Sequence, residues 1–147
     1  MHNSADVLYE RTRHVPPIQG YDDVFLHGNA SGVSTKDANG EDIDIPNEKF
    51  IEILKQLPFE NGAIRLCACD AGAEDHGIAS YVAKEMKMRV MAPTTHIWIP
   101  FPDQNGVSEM ELYDVDDFGV KDTSRPGRWR IFNIDGSIEE VLKDAKT

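Results

Sequence analysis

Basic residues are scarce in this chain: 15 lysines and arginines face 26 aspartates and glutamates, a formal charge of −11 at pH 7. Nucleic-acid backbones reward a basic face, so nuclease and nucleic-acid-binding classes are set aside. No apolar stretch approaches the ~20 residues that cross a bilayer, so no membrane insertion by this segment is expected. Met1 to Glu10 lacks a basic-then-apolar leader pattern, so no targeting signal is expected in this chain either. Cysteine is limited to Cys67 and Cys69. Thiols at i and i+2 of one extended segment cannot close a relaxed disulfide, so both read as free thiols of a reducing compartment. Internal repeats and low-complexity tracts are also missing. What remains, 147 residues of which 40% are hydrophobic, suits one domain with one core.

Residues 1–20 are polar and interrupted by Pro16-Pro17, which predicts a lead-in or linker segment; 21–147 is read as a single α/β domain. A buried strand is predicted over 22–26. Asn39-Gly40 marks a hairpin within 33–45. Phe50, Ile53, Leu54 and Leu57 fall at i, i+3, i+4 and i+7, the stripe of an amphipathic helix that stops near Pro58. A strand over 63–68, a helix over 74–87 with acids first and lysines later, and a strand over 88–91 follow, a strand–helix–strand unit. Residues 96–99 read as extended, 103–124 as an acidic excursion with a hairpin near 110–115, and 128–134 as a late strand. Ser137 and Glu140 form a capping box that predicts a short C-terminal helix. Strands alternating with helices imply an α/β layer with a mainly parallel sheet and flanking helices.

Two strand ends carry the chemistry. Val24-Phe25-Leu26-His27-Gly28 and Ile64-Arg65-Leu66-Cys67-Ala68-Cys69-Asp70-Ala71-Gly72 are apolar runs that each stop at a reactive side chain close to glycine. Open parallel sheets place their working groups beyond the carboxyl ends of the strands. Neighbouring strands would thus bring Cys69, as nucleophile, to His27, as base, because a thiol attacks as thiolate and an imidazole takes its proton. The Gly28 and Cys69 N–H groups are the candidate oxyanion donors.

These residues resemble the caspase-like (clan CD) cysteine peptidase arrangement. More closely, residues 64–72, the helix over 78–86, Val90-Met91-Ala92-Pro93-Thr94, Trp98 and Gly127-Arg128-Trp129-Arg130-Ile131-Phe132 resemble the C-terminal domain of bacterial polymorphic toxins of the Rhs, contact-dependent and WXG/LXG kind. The resemblance spans about residues 22–134. It implies a caspase-like three-layer sandwich and a cysteine hydrolase, most simply a peptidase. It further implies a domain secreted or delivered as part of a larger toxin, acting in the target-cell cytoplasm on a protein substrate and held in check by a cognate immunity protein. The family pattern has an acidic residue after Ala-Pro-Thr, where this chain has Thr95-His96. That departure leaves the partner of His27 unidentified and admits His96 and Asp70 as alternative base or orienting group.

Blander readings stand beside these. Cys67, and Cys69 if unreactive, are small buried hydrophobes. His27 and His76 are hydrogen-bonding surface histidines, and Trp98 and Trp129 anchor the core. Cys67, Cys69, His76 and His96 could supply zinc ligands, but one C-x-C pair without a second is a weak signal, so no metal or other cofactor is expected. Arg125, Arg128 and Arg130 either bind an acidic group of the substrate or neutralise the acidic excursion. The alternatives to a peptidase are a glutamine deamidase or transferase built on the same pair, and a non-catalytic acidic domain that binds a basic protein.

Overall fold

Four chain reversals share one chemistry. In the computed structural model, which describes residues 12–141, the segments 37–40, 103–106, 116–119 and 133–136 each begin with Asp or Asn and end with a glycine at positive φ, between 77° and 93°. In the first three, an aspartate carboxylate accepts two backbone N–H groups across the turn, as Asp116 does from Phe118 and Val120 at 2.8 and 2.9 Å. The first-position side chain holds the turn open, and the left-handed glycine closes it.

Three of these turns join antiparallel hairpins: β3 (Val33–Lys36) with β4 (Asp42–Ile45), β8 (Glu111–Val115) with β9 (Lys121–Pro126), and β10 (Trp129–Phe132) with β11 (Ile138–Val141). The main sheet contains β1 (Asp22–Phe25), β5 (Ala63–Cys67), β6 (Arg89–Pro93), β10 and β11, in the order β1-β5-β6-β10-β11. β1, β5 and β6 run parallel, whereas β10 and β11 join antiparallel. A second small sheet is β2 (His27–Gly28), β3 and β4; a third is β7 (His96–Trp98), β8 and β9.

The main sheet is covered differently on its two faces. On one side α1 (Asn47–Lys55) and α2 (Ile78–Met86) bring Phe50, Leu54, Ile78 and Val82 onto Val24, Ile64, Leu66, Val90 and Phe132, all at or below 2% exposure. On the other, Cys67, Met91 and Trp129 meet Ile18 and Tyr21 from the entry segment and Ile97 and Leu112 from the third sheet. Each buried central strand shows one face to each cluster because its side chains alternate.

The expectation of a mainly parallel α/β sheet with helices on both faces is corrected by this layering. Strand outweighs helix by 35% to 15%, and the face opposite the two helices is closed by antiparallel β-structure. The caspase-like three-layer sandwich falls with it. The capping box at the C-terminal end gives no helix over the described residues either. Glu140 pairs across the ladder with Arg128 and Arg130, and the Ser137 hydroxyl donates to Asp135 at 2.7 Å, so β11 forms instead. The helix expected over 74–87 begins only at Ile78. A Cβ on Gly77 would lie 2.3 Å from the Ala30 carbonyl oxygen, which accepts the Ile78 N–H, and this close contact fixes where the helix starts.

The predicted lead-in divides. Residues 1–11 lie outside the described part, whereas 12–20 dock onto the fold: Pro16 O accepts from Arg65, and Ser108 N donates to His14 O at 2.8 Å. Arg65 is also the centre of a buried ion pair. Its Nε and Nη2 each reach Asp23 carboxylate oxygens at 2.6 Å, and its guanidinium lies over Trp129. Burial opposes the charge, but the Asp23 carboxylate and the neighbouring Cys67 together outweigh that cost and hold the guanidinium pKa above its ordinary value. Substitution of Arg65→Leu, which leaves the Asp23 carboxylate buried and unpaired, is expected to lower the unfolding free energy by about 3–5 kcal/mol. The double variant Asp23→Val, Arg65→Leu, with no stranded charge, should lose clearly less in urea denaturation; equal losses would contradict this account.

Candidate functional site

The pairing of β1 with β5 decides where the reactive groups go. The strands are parallel, with Asp23 opposite Arg65 and Phe25 opposite Cys67, and Leu26 N donates to Cys67 O at 3.2 Å to extend the ladder. Residues two further along each strand project from the same face. Cys69 follows β5 at the carboxyl edge of the main sheet, and His27 lies just beyond the end of β1, on β2 of the second sheet. They line one half-open pocket of about 340 Å³, its mouth included, together with Thr12, Phe25, Leu26, Cys67, Ile97 and Ile99.

Cys69 is half-buried and its sulfur accepts a hydrogen bond from the Ile97 N–H at 3.3 Å. Burial raises its thiol pKa; the Ile97 N–H partly offsets this, and the neighbouring Asp70 charge adds to it. A resident thiolate is therefore disfavoured, and a base must take the proton as the sulfur reacts. Cys67 is sealed in the sheet, donates weakly to Arg65 O at 3.7 Å and is held further from ionisation by burial, which leaves it as packing.

After Cys69 the chain turns back under tight constraint. Asp70 takes a left-handed φ of 59°, a conformation aspartate tolerates better than most side chains, and its N–H donates to Thr95 O at 3.0 Å. Gly72 donates to Pro93 O at 2.7 Å, and a Cβ there would meet Ala92 O at 2.6 Å. Only glycine lets this turn press onto β6, and the turn aims the sulfur.

The other candidates have distinct surroundings. Gly28 lies against Gly32 O, Ala68 and Cys69 O, with a hypothetical Cβ 3.0 Å from the first of these, so its missing side chain serves packing of the 28–32 loop on the end of β5. His96 and Trp98 alternate with Ile97 on β7; Ile97 lines the pocket, and His96 points the other way, stacked on Trp98. The His96 Nδ1 lies 3.5 Å from an Asp70 oxygen, a charge contact rather than a good hydrogen bond. Burial raises the Asp70 carboxyl pKa, with His96 acting against that shift. His96 and Asp70 thus form a pair beside the pocket, outside its lining. Trp98 is half-buried and donates from Nε1 to Tyr113 O at 2.8 Å, tying β7 to β8, while Trp129 alone of the two tryptophans is fully packed.

The three arginines are engaged by the protein's own acids: Arg125 with Asp114 at 2.7 Å, Arg128 with Glu140, and Arg130 with Asp75 and the Gly72 carbonyl at 3.0 Å. Only the Arg125–Asp114 contact lies within the acidic excursion; Arg128 and Arg130 pair with acids outside it. His76 is exposed, and among the described residues no group of three or more His, Cys, Asp or Glu is arranged to hold a metal. Ile97 and Ile99, which wall the pocket, and the Asp23–Arg65 pair that sets its register were not singled out by sequence. Charges embedded in the apolar runs Asp23-Val24-Phe25 and Ile64-Arg65-Leu66 were the available signal.

The thiol shifts fix a pH dependence. Both folded-state values lie above the ordinary 9.0, so the folded protein holds protons that the unfolded chain releases. Their contribution is complete below that value and declines as pH rises above it. Melts taken from neutral pH to about 10.5 should show stability falling at the alkaline end. Cys67→Ala should flatten that fall, and an unchanged slope would contradict the assignment.

No curated protein and no solved structure matches the chain. Residues 1–110, about three quarters of its length, match the family described as a domain of unknown function (DUF8616), and the chain belongs to that family.

Proposed function

We propose that this protein is a cysteine-dependent amide hydrolase with Cys69 as nucleophile and His27 as general base. One observation carries the reading: two strands far apart in sequence pair in parallel so that His27 and the half-buried Cys69 line the same pocket. The raised thiol pKa fits general-base catalysis in which His27 removes the proton as sulfur attacks the amide carbon. His27 then returns that proton to the leaving nitrogen, and water releases the acyl group from sulfur. The Cys69 N–H remains the candidate oxyanion donor, with Gly28 N–H beside it. The sequence resemblance supports placing this chemistry in the effector end of a delivered bacterial toxin, with a protein substrate in the target cell. Main-chain cleavage and side-chain deamidation use the same steps and differ only in which amide enters.

Purified protein assayed against a library of peptidyl aminomethylcoumarin amides, with ammonia release from glutamine peptides as a second channel, is expected to show activity in one of them. Cys69→Ala should lower that activity by about 10⁴-fold or more, and His27→Ala by about 10²–10⁴-fold, both with wild-type melting behaviour. Full activity in folded Cys69→Ala, or a wild-type Cys69 inert to iodoacetamide at neutral pH, would end the reading.

A further inference from the structure

The pocket that holds Cys69 and His27 has a composition of its own. Its remaining walls are Phe25, Leu26, Cys67, Ile97 and Ile99, with Thr12 the one further residue that carries a polar side chain. No carboxylate lines it, so a cationic substrate group entering here would lose water and gain no counter-charge. The charge of −11 opposes an anion at longer range. One residue along the chain, Gly28 borders a second hollow of different character, with Asn29, Ser31, Ser34 and Asp44 among its lining residues. Apolar demand is therefore confined to the space beside the sulfur. At about 340 Å³, mouth included, that space suits a single aliphatic side chain next to the reacting carbonyl rather than an extended acyl tail.

Building on the nucleophile assigned above, we propose that the pocket formed by Phe25, Leu26, Ile97 and Ile99 is the specificity subsite and takes an uncharged aliphatic side chain of valine or leucine size. Acidic substrates are excluded. Each methylene that such a pocket fills discriminates by about tenfold or more.

Alkylation of Cys69 tests this without knowledge of the natural substrate. In that reaction the sulfur displaces iodide from the reagent carbon, an S–C bond forms as C–I breaks, and His27 takes the thiol proton. Iodoacetamide, N-isobutyl iodoacetamide and iodoacetate are compared on the full chain, each rate divided by that for N-acetylcysteine, with peptide mapping to separate Cys69 from Cys67. The isobutyl reagent is expected to exceed iodoacetamide by about tenfold, and iodoacetate to fall below it. Ile97→Asn, which keeps the backbone N–H, should bring the isobutyl advantage towards unity. Equal normalised rates at a reactive Cys69, or a preference for iodoacetate, would overturn the subsite and leave the nucleophile assignment standing. A Cys69 inert to all three reagents would instead remove that assignment, and the subsite with it.

Discussion

The bidentate contact between Asp23 and Arg65 is the constraint on which the rest of the molecule depends. It joins register partners on β1 and β5, 42 residues apart, and Arg65 also gathers the entry segment through Pro16 O and covers Trp129. A slip of one residue between these strands would break both 2.6 Å contacts and strand two charges in a low-dielectric interior, so one pairing is strongly preferred. A buried ion pair is weak evidence for stability as such, but a good device for specifying register. Here the register is what brings the ends of β1 and β5, and with them His27 and Cys69, to the lining of one pocket.

Around that fixed point the fold relies on tight backbone approach. Gly72 pressed onto Ala92 O, Gly77 onto Ala30 O and Gly28 onto the end of β5 let three loops converge where ordinary side chains would collide. The arginines late in the chain serve the same end, since Arg130 grips the Gly72 carbonyl and so braces the turn that follows Cys69. Their charges are consumed within the protein, which leaves the pocket itself uncharged apart from its histidine and thiols.

Local elements were legible in the sequence, and their assembly was legible only in part. The stripe from Phe50 to Leu57 marked α1, Asn39-Gly40 marked the β3–β4 hairpin, and the runs ending at His27 and Cys69 marked β1 and β5, because each signal is written within a few residues. The sheet class was misread because the same Asp/Asn-x-x-Gly chemistry at 116–119 and 133–136 went unrecognised. Those turns convert the last third of the chain into antiparallel structure. Ser137 and Glu140 satisfy the helix-start rule locally, but the pairing of Glu140 with Arg128 overrides it. At the site, the meeting of His27 and Cys69 in one pocket could be suggested by strand-end logic, whereas Ile97, its N–H on the sulfur and its side chain in the wall, comes from a strand that sequence does not connect to either.

The parallel β1–β5 pairing determines when, in folding, the pocket around Cys69 comes into being. The Asx-glycine hairpins close over a few residues and form early, but parallel strands joined across such a distance in sequence pair late, after a long loop has closed. Until they do, the Cys69 sulfur has no apolar chamber around it. That chamber is thus a product of the completed tertiary structure, and a chain passing through a partly folded state would carry Cys69 as an ordinary thiol.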